Sequence, residues 1–284
     1  MSSRETRETP ISPKAVRSFR RIVWAHYRRH ARDHLPWRAT RDPYAILVSE
    51  VMLQQTSVER VEKFYPVFLK RFPTVHILAR APLSSVIAVW QGLGYNRRAK
   101  MLLQAAQIIE RNYEGKIPSS LSVLESLPGV GRYTARAVAL FAFDIASLCL
   151  ETNIRTAILH HFFSGEEKVS DRAIEEVLAR VSPKKPSRAW NFALMDYGSC
   201  LKKRGVRLNA HARVYTKQKP FAGSLREARG AILRALVTNG PSSARALTGL
   251  LGAVRQEQMR IALAALLREG FVEKKKNRYA LSKE

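Results

Sequence analysis

Almost no alternating run of β-branched residues occurs before residue 270, whereas apolar residues recur at helical spacing from residue 13 to residue 202. This periodicity is the strongest constraint on the fold, because a stripe that is apolar every third or fourth residue is buried by a helix and not by a strand. Residues 13–31 show it first, with Val16, Phe19, Ile22, Val23 and Tyr27 on one face of a basic segment. Asp42-Pro43 then supplies an N-cap and a proline at the first helical position, opening a helix through YAILVSEVMLQQ that stops near Thr56. Further helices are predicted over Ser57–Phe72, Leu83–Trp90, Arg97–Asn112, Ser120–Leu127, Tyr133–Phe143, Asn153–Phe163, Asp171–Arg180 and Ser187–Lys202. Residues 1–204 therefore read as an all-α domain of many short helices.

Residues 205–223 are rich in Gly, Lys and Arg and lack periodicity, as a basic linker would. Residues 224–284 read as a second module. Helices are expected over Ser224–Val237, Ser243–Leu251 and Glu257–Glu269, with a turn at Asn239-Gly240-Pro241. Two short strands, Gly270–Glu273 and Arg278–Leu281, flank Lys274-Lys275-Lys276-Asn277. Three helices and a terminal hairpin predict a small winged-helix domain. Its basic tip suits a phosphate backbone; the alternative is a winged helix that contacts protein.

The charge narrows the partners. The chain has 284 residues, 49 Lys+Arg against 23 Asp+Glu, and a formal net charge of +26. Such an excess favours a polyanion. Residues 1–41 carry eleven Lys/Arg and three acids, and residues 201–235 carry ten Lys/Arg and one acid, Glu227. Basic segments on both sides of a more balanced centre suggest a nucleic-acid groove. Two cysteines, Cys149 and Cys200, give neither a disulfide framework nor a thiolate metal site. The N-terminus is Arg-rich with no apolar leader, and the apolar stretch Ala137–Leu150 is interrupted by Asp144 and too short to span a bilayer. A monomer in the cytoplasm or nucleoid, without membrane or metal, is the expectation.

Two places carry chemistry. The first is Leu127-Pro128-Gly129-Val130-Gly131, a glycine-rich hairpin between two predicted helices. Gly129 and Gly131 permit positive φ and close backbone approach, and the helix from Arg132 turns its N-terminal amides toward a phosphate. Such a grip reads no base edge. A carboxylate ~20 residues downstream, Glu151 next to Asn153, can be aimed beside that phosphate. The other reading of Glu151 is a helix cap. The second place is Glu50, flanked by Val48, Val51, Met52 and Leu53. An apolar setting favours the neutral acid, which can donate a proton to a purine ring nitrogen and weaken the base–sugar bond.

LPGVGRYTA followed by LETN resembles the helix-hairpin-helix DNA glycosylase superfamily. LPWRATRDPYAILVSEVMLQQTSVERV and GLGYNRRAKMLLQAA look like its adenine-mismatch, MutY-like branch, and the match runs from about Leu35 to Gly198. The resemblance implies a two-lobed helix-hairpin-helix domain that flips a mispaired or damaged base out of double-stranded DNA. It makes Glu50 the proton donor. Glu151 stands where the family has aspartate, the group that stabilises the sugar cation, and Asn153 helps to place it. Tyr133 replaces the lysine of strand-cleaving relatives, which implies a monofunctional enzyme. Leu53, Gln54 and Gln55 form the corner that enters the duplex, and Asn96 takes the place of an aromatic wedge. Leu127, Gly129, Val130, Gly131, Arg132 and Thr134 belong to the DNA grip. Trp37 and Arg38 line the base pocket, and Phe192 replaces a polar reader of the adenine edge.

Two family features are missing. Lys202–Phe221 contains none of the four cysteines of the family's iron–sulfur cluster, so no such cofactor is expected. The predicted winged helix also stands in place of the family's 8-oxoguanine-recognition domain. The leading expectation is excision of adenine opposite 8-oxoguanine or guanine. A uracil or thymine mismatch glycosylase, and a binding protein with weak or no catalysis, are the alternatives.

Overall fold

A computed structural model of the chain describes residues 11–185, 187–212 and 220–282. Its helices are α1 Pro13–His30, α2 Pro36–Ala39, α3 Pro43–Leu53, α4 Val58–Arg71, α5 Val75–Ala79, α6 Leu83–Trp90, α7 Arg97–Tyr113 and α8 Leu121–Ser126. Then follow α9 Arg132–Phe143, α10 Thr152–Phe162, α11 Asp171–Val181, α12 Arg188–Lys203, α13 Leu225–Asn239, α14 Ala244–Thr248 and α15 Gln256–Arg268. The strands are β1 Ser242–Ser243, β2 Val272–Lys275 and β3 Arg278–Leu281. The predicted helices are present with ends shifted by a few residues. The short helices α2 and α5 were not predicted, because one turn of helix carries too few residues to show a period.

The chain divides into two compact units. One comprises Met1–His34 and Ala139–Lys217. Phe19 and Val23 of α1 pack there with Ile154, Ile158, Ile174, Leu178, Trp190 and Leu194. Ser182 Oγ accepts a hydrogen bond from the Trp190 indole at 3.1 Å, so the largest buried side chain keeps its polar atom satisfied. Arg32 holds the buried carboxylate of Asp196 twice, through its backbone N–H at 3.1 Å and its Nε at 2.6 Å. Gly198 of α12 faces the start of α10 so closely that a Cβ would collide with the Asn153 carbonyl. Of the stretch read as a basic linker, Leu208–His211 forms a 3-10 turn, and residues 213–219 lie outside the described residues.

The other unit comprises Leu35–Val138 and Gln218–Glu284. Here α3 is buried on every side from Tyr44 to Met52, with α2, α4 and α7 against it. Asp42 caps α3 by accepting from the Tyr44 N–H at 3.0 Å, with Pro43 next to it, as the sequence predicts. The C-terminal segment of this unit folds α13, α14 and α15 against a three-stranded antiparallel sheet of order β1-β3-β2. Val272 pairs with Leu281 and Lys275 with Arg278. Ile232, Leu233, Leu236, Leu247, Met259, Leu266 and Phe271 form its core. Two residues of β1 extend the expected hairpin into a sheet.

The Gly198 contact yields a prediction about packing. Gly198→Ala should cost ~3 kcal/mol or more in a chemical denaturation experiment, because backbone on the facing helix must move to admit one methyl. An alanine variant within about 0.5 kcal/mol of the wild type would show that α10 and α12 are not held this closely.

Candidate functional site

Helix α3 delivers Glu50 to a buried position, 6 % exposed, in a segment without another acidic side chain. A carboxyl placed there loses most of the hydration that its charge would need. Trp37 and Arg38 on α2 are also buried, and the Trp37 ring meets Tyr65 edge-on at 5.6 Å. Packing therefore claims one face of the residue that the sequence placed in the base pocket. Burial pushes the Tyr65 hydroxyl up to about 12, which leaves it neutral and able to donate.

The end of α3 is organised by Arg98 of α7. Its Nη1 donates to the carbonyls of Val51 at 2.9 Å, Met52 at 2.8 Å and Gln54 at 2.6 Å. Its Nη2 donates to Thr56 Oγ1 at 3.0 Å and the Gly94 carbonyl at 2.9 Å. The last carbonyls of a helix have no partner within the helix, and a guanidinium fork supplies several donors from one side chain. Burial lowers this arginine to about 10, and the Trp90 and Tyr95 rings lie 5.4 and 5.6 Å from its Cζ. Arg98 was not among the residues that the sequence singled out. The signal is its spacing: it falls on the apolar stripe of Leu102, Ala105 and Ile109, where a solvated arginine does not belong.

The two glutamines after α3 part ways. Gln54 is committed inward, its Nε2 donating to the Gly129 carbonyl at 3.1 Å and to Thr134 Oγ1 at 3.2 Å. It thereby ties the α3 corner to the glycine hairpin. Gln55 is exposed and sits at φ +56°, a left-handed conformation uncommon for a residue with a Cβ. Leu53 is half-buried beside them. Asn96 occupies the N-cap position of α7, half-buried, without a side-chain capping bond.

The hairpin forms between α8 and α9 as predicted, with two corrections. Only Gly129 needs positive φ, at +78°, and a Cβ on it would press to 3.0 Å from Met101 Cβ. Gly131 does not occupy that region; open space surrounds its missing Cβ, so it offers room instead of a turn. The other correction concerns Leu127 and Val130, which are 3 % and 5 % exposed. Their side chains anchor the hairpin in the core, and only their backbone can face a ligand. Thr134 is buried and serves Gln54, while Gly131 and Arg132 are exposed and Tyr133 half-buried at the start of α9. The first-turn amides of a helix have no carbonyl of their own helix to bond, so a helix start of this kind suits an anion.

Glu151 and Asn153 lie in the other unit. Glu151 is the N-cap of α10: its Oε1 accepts from the N–H groups of Asn153 and Ile154, both at 2.8 Å. Its Oε2 accepts from Asn153 Nδ2 at 3.0 Å and Thr152 Oγ1 at 3.2 Å. Lys202 Nζ donates to Asn153 Oδ1 at 3.0 Å, a partner that the sequence did not reveal. Phe192 is buried and stacked on Phe141 at 4.7 Å, with the Arg188 guanidinium 5.4 Å from its ring. Among the described residues no group of His, Cys, Asp and Glu is arranged to hold a metal ion, and no helix is long and apolar enough to cross a membrane.

The model of the family described as HhH-GPD superfamily base excision DNA repair protein matches residues 48–184. The chain is similar to the adenine DNA glycosylase of Mycolicibacterium smegmatis, 33 % identical over 273 residues that cover 90 % of this chain and 93 % of that protein. It is 34 % identical over 184 residues to the adenine DNA glycosylase of Buchnera aphidicola; the match covers 64 % of this chain and about half, 52 %, of that protein. Among solved structures, a thermostable thymine-DNA glycosylase aligns with a TM-score of 0.58 at 27 % identity, covering 66 % of this chain and 87 % of that one.

The corner makes a prediction. Arg98→Met should destabilise the chain by ~3 kcal/mol or more, since carbonyls at the end of α3 and in the Gly94 turn lose their donor. Arg98→Lys should recover only part of this, because an ammonium lacks the planar fork. Urea unfolding of both variants measures it.

Proposed function

The chain belongs to the HhH-GPD superfamily of base excision DNA repair proteins, and we propose that it is an adenine DNA glycosylase acting on a mispaired adenine in duplex DNA. The observation that carries this reading is the placement of Glu50. The one acid of a helix buried from Tyr44 to Met52 sits four residues before a glutamine that is hydrogen-bonded to the glycine hairpin. A proton donor and a DNA anchor on one short, rigid element are what base excision requires.

In this mechanism the hairpin and the first turn of α9 take a phosphate through backbone amides, independently of sequence. Gln55, exposed at the corner, fills the gap left when adenine leaves the stack, and the mismatch lowers the cost of extrusion. Glu50 gives its proton to a ring nitrogen of the flipped base. The bond from base to sugar breaks with its electron pair going to the base, which leaves an oxocarbenium-like sugar. Glu151 stabilises that cation electrostatically, and water adds to the sugar carbon and loses a proton to give an abasic site. Capping and catalysis suit one carboxylate here: Oε1 is held by two backbone amides, and Oε2, held by side chains, is the oxygen that can be turned to substrate. Tyr133 offers no amine for a Schiff base, so the reaction stops at the abasic site.

The same reading covers the rest of the chain. Three helices and the β1-β3-β2 sheet support a winged helix at residues 224–284, with Lys274, Lys275, Lys276 and Arg278 exposed for a DNA backbone. The family's four-thiolate iron–sulfur cluster does not fit this chain, which has two cysteines, one of them fully buried. The protein acts as a monomer in this proposal. A second reading, a thymine or uracil mismatch glycosylase, is favoured by one observation. Phe192 is stacked into an aromatic pair and offers no polar group to an adenine edge.

Single-turnover reactions on duplexes carrying A, T or U opposite G or 8-oxoguanine, followed by hot alkali, separate these readings. Cleavage at A alone supports the proposal, and cleavage at T or U alone replaces it with the second reading. Mismatch binding with no product on any duplex would leave a binding protein. On the preferred substrate, Glu50→Gln should lower the rate by ~100-fold or more while duplex affinity is kept. Full activity in that variant would place the acid elsewhere. Glu151→Asp should preserve or raise the rate, and its complete loss would show a pocket shaped around the longer side chain.

A further inference from the structure

The C-terminal module does more than sit beside the DNA-facing corner; it is bonded to it. Tyr95 stands between the Gly92–Gly94 turn and α7, and its φ of +49° is left-handed for a residue with a large side chain. Such a conformation persists only where its surroundings hold it. Arg98 holds the turn from one side through the carbonyls of Leu93 and Gly94. From the other side Arg226, at the start of α13, donates Nη1 to the Tyr95 hydroxyl at 2.5 Å, with its Cζ 5.6 Å from the Tyr95 ring. Tyr95 thus lies within cation–π range of two guanidinium groups, one from each side of the junction.

A second bond lies on α7 itself. Lys100 Nζ donates to the carbonyls of Glu269 at 2.5 Å and Gly270 at 3.1 Å, which closes the end of α15 with a donor from outside the module. Burial lowers the Lys100 ammonium, and Glu269 opposes that shift. Arg229 of α13 grips both carboxylate oxygens of Glu269, at 2.6 and 2.8 Å, so the point that Lys100 reaches is itself fixed to α13. Two attachments, one just before α7 and one on it, define an orientation, where a single bond would leave a pivot.

We infer that the C-terminal module is a brace for the duplex-entering corner, with Arg226 as a positioning residue that acts through Tyr95 on Asn96 and, by way of Arg98, on Gln54 and Gln55. Its contribution is therefore to base extrusion, separate from any contact that its basic hairpin makes with DNA. The kinetic part of this inference rests on the glycosylase reading; the structural part does not.

The test uses the full chain as Arg226→Ala, Tyr95→Phe, the double variant and Arg226→Lys. Hydrogen–deuterium exchange of the DNA-free protein reports the turn at residues 92–97. The fluorescence of 2-aminopurine in place of the target adenine reports extrusion, and single-turnover excision reports rate. Arg226→Ala should speed exchange in that turn, reduce the fluorescence rise and slow excision about tenfold or more. Affinity for an undamaged duplex should stay within about twofold. Tyr95→Phe should reproduce these effects, the double variant should add little, and Arg226→Lys should restore most of the rate. Unchanged exchange in the turn would overturn the brace, as would a rate loss that merely follows duplex affinity or multiplies in the double variant. Should Arg226→Ala fail to fold, Tyr95→Phe, which removes a single oxygen, decides the matter. A wild-type chain that excises no base would defeat the glycosylase reading and leave the exchange measurement to decide the brace alone.

Discussion

The Arg98 guanidinium is the interaction on which the candidate site depends. Helix α3 must end abruptly after Leu53 for the next residues to form a corner, and an abrupt end leaves carbonyls unpaired in a dry interior. A single buried cation answers three of them and reaches the Gly94 turn as well. Its neighbours in the sequence extend the same logic. Tyr95 and Lys100 meet the C-terminal module, and Met101 packs where Gly129 has no side chain. The short stretch from Tyr95 to Met101 thus joins α3, the hairpin and the C-terminal module.

The Glu151 end obeys a different constraint. A glutamate has one more methylene than an aspartate, and here that length lets the carboxylate curl onto the first amides of its own helix. Asn153 adds a side-chain bond to the same carboxylate and is held in turn by Lys202. Gly198 allows α12 to approach the backbone that carries both residues. The carboxylate is therefore positioned by backbone hydrogen bonds, helix packing and a lysine together, so its placement tolerates little change in any of them.

Much of the fold was legible because most helices here are long enough to show their period and are bounded by proline, serine or aspartate. Asp42-Pro43 and Ser187 both cap as their chemistry predicts. The hairpin and the buried Glu50 were legible for the same reason: glycine and an acid in an apolar run are local signals. What escaped was non-local. Trp37 lies against Tyr65, 28 positions away, and Phe192 stacks on Phe141 from a different helix. Leu127 and Val130 belong to the motif read as a phosphate grip, yet their side chains turn into the core. The difference between Gly129 and Gly131 is likewise a matter of φ, which the dipeptide spacing does not contain.

The sequence by itself determined the helical class, the hairpin, the excess of positive charge and the identity of the chemical groups, because each of these follows from residue type and spacing within one turn or one helix. The tertiary structure decided which of those groups are committed to holding the fold and which remain for a substrate. Gln54 is spent on Gly129 while its neighbour Gln55 is exposed, and Arg98 is buried while its neighbour Arg97 is not. Adjacent residues of the same type part in this way because burial and hydrogen-bond partners are set by elements that lie tens of residues away in the chain.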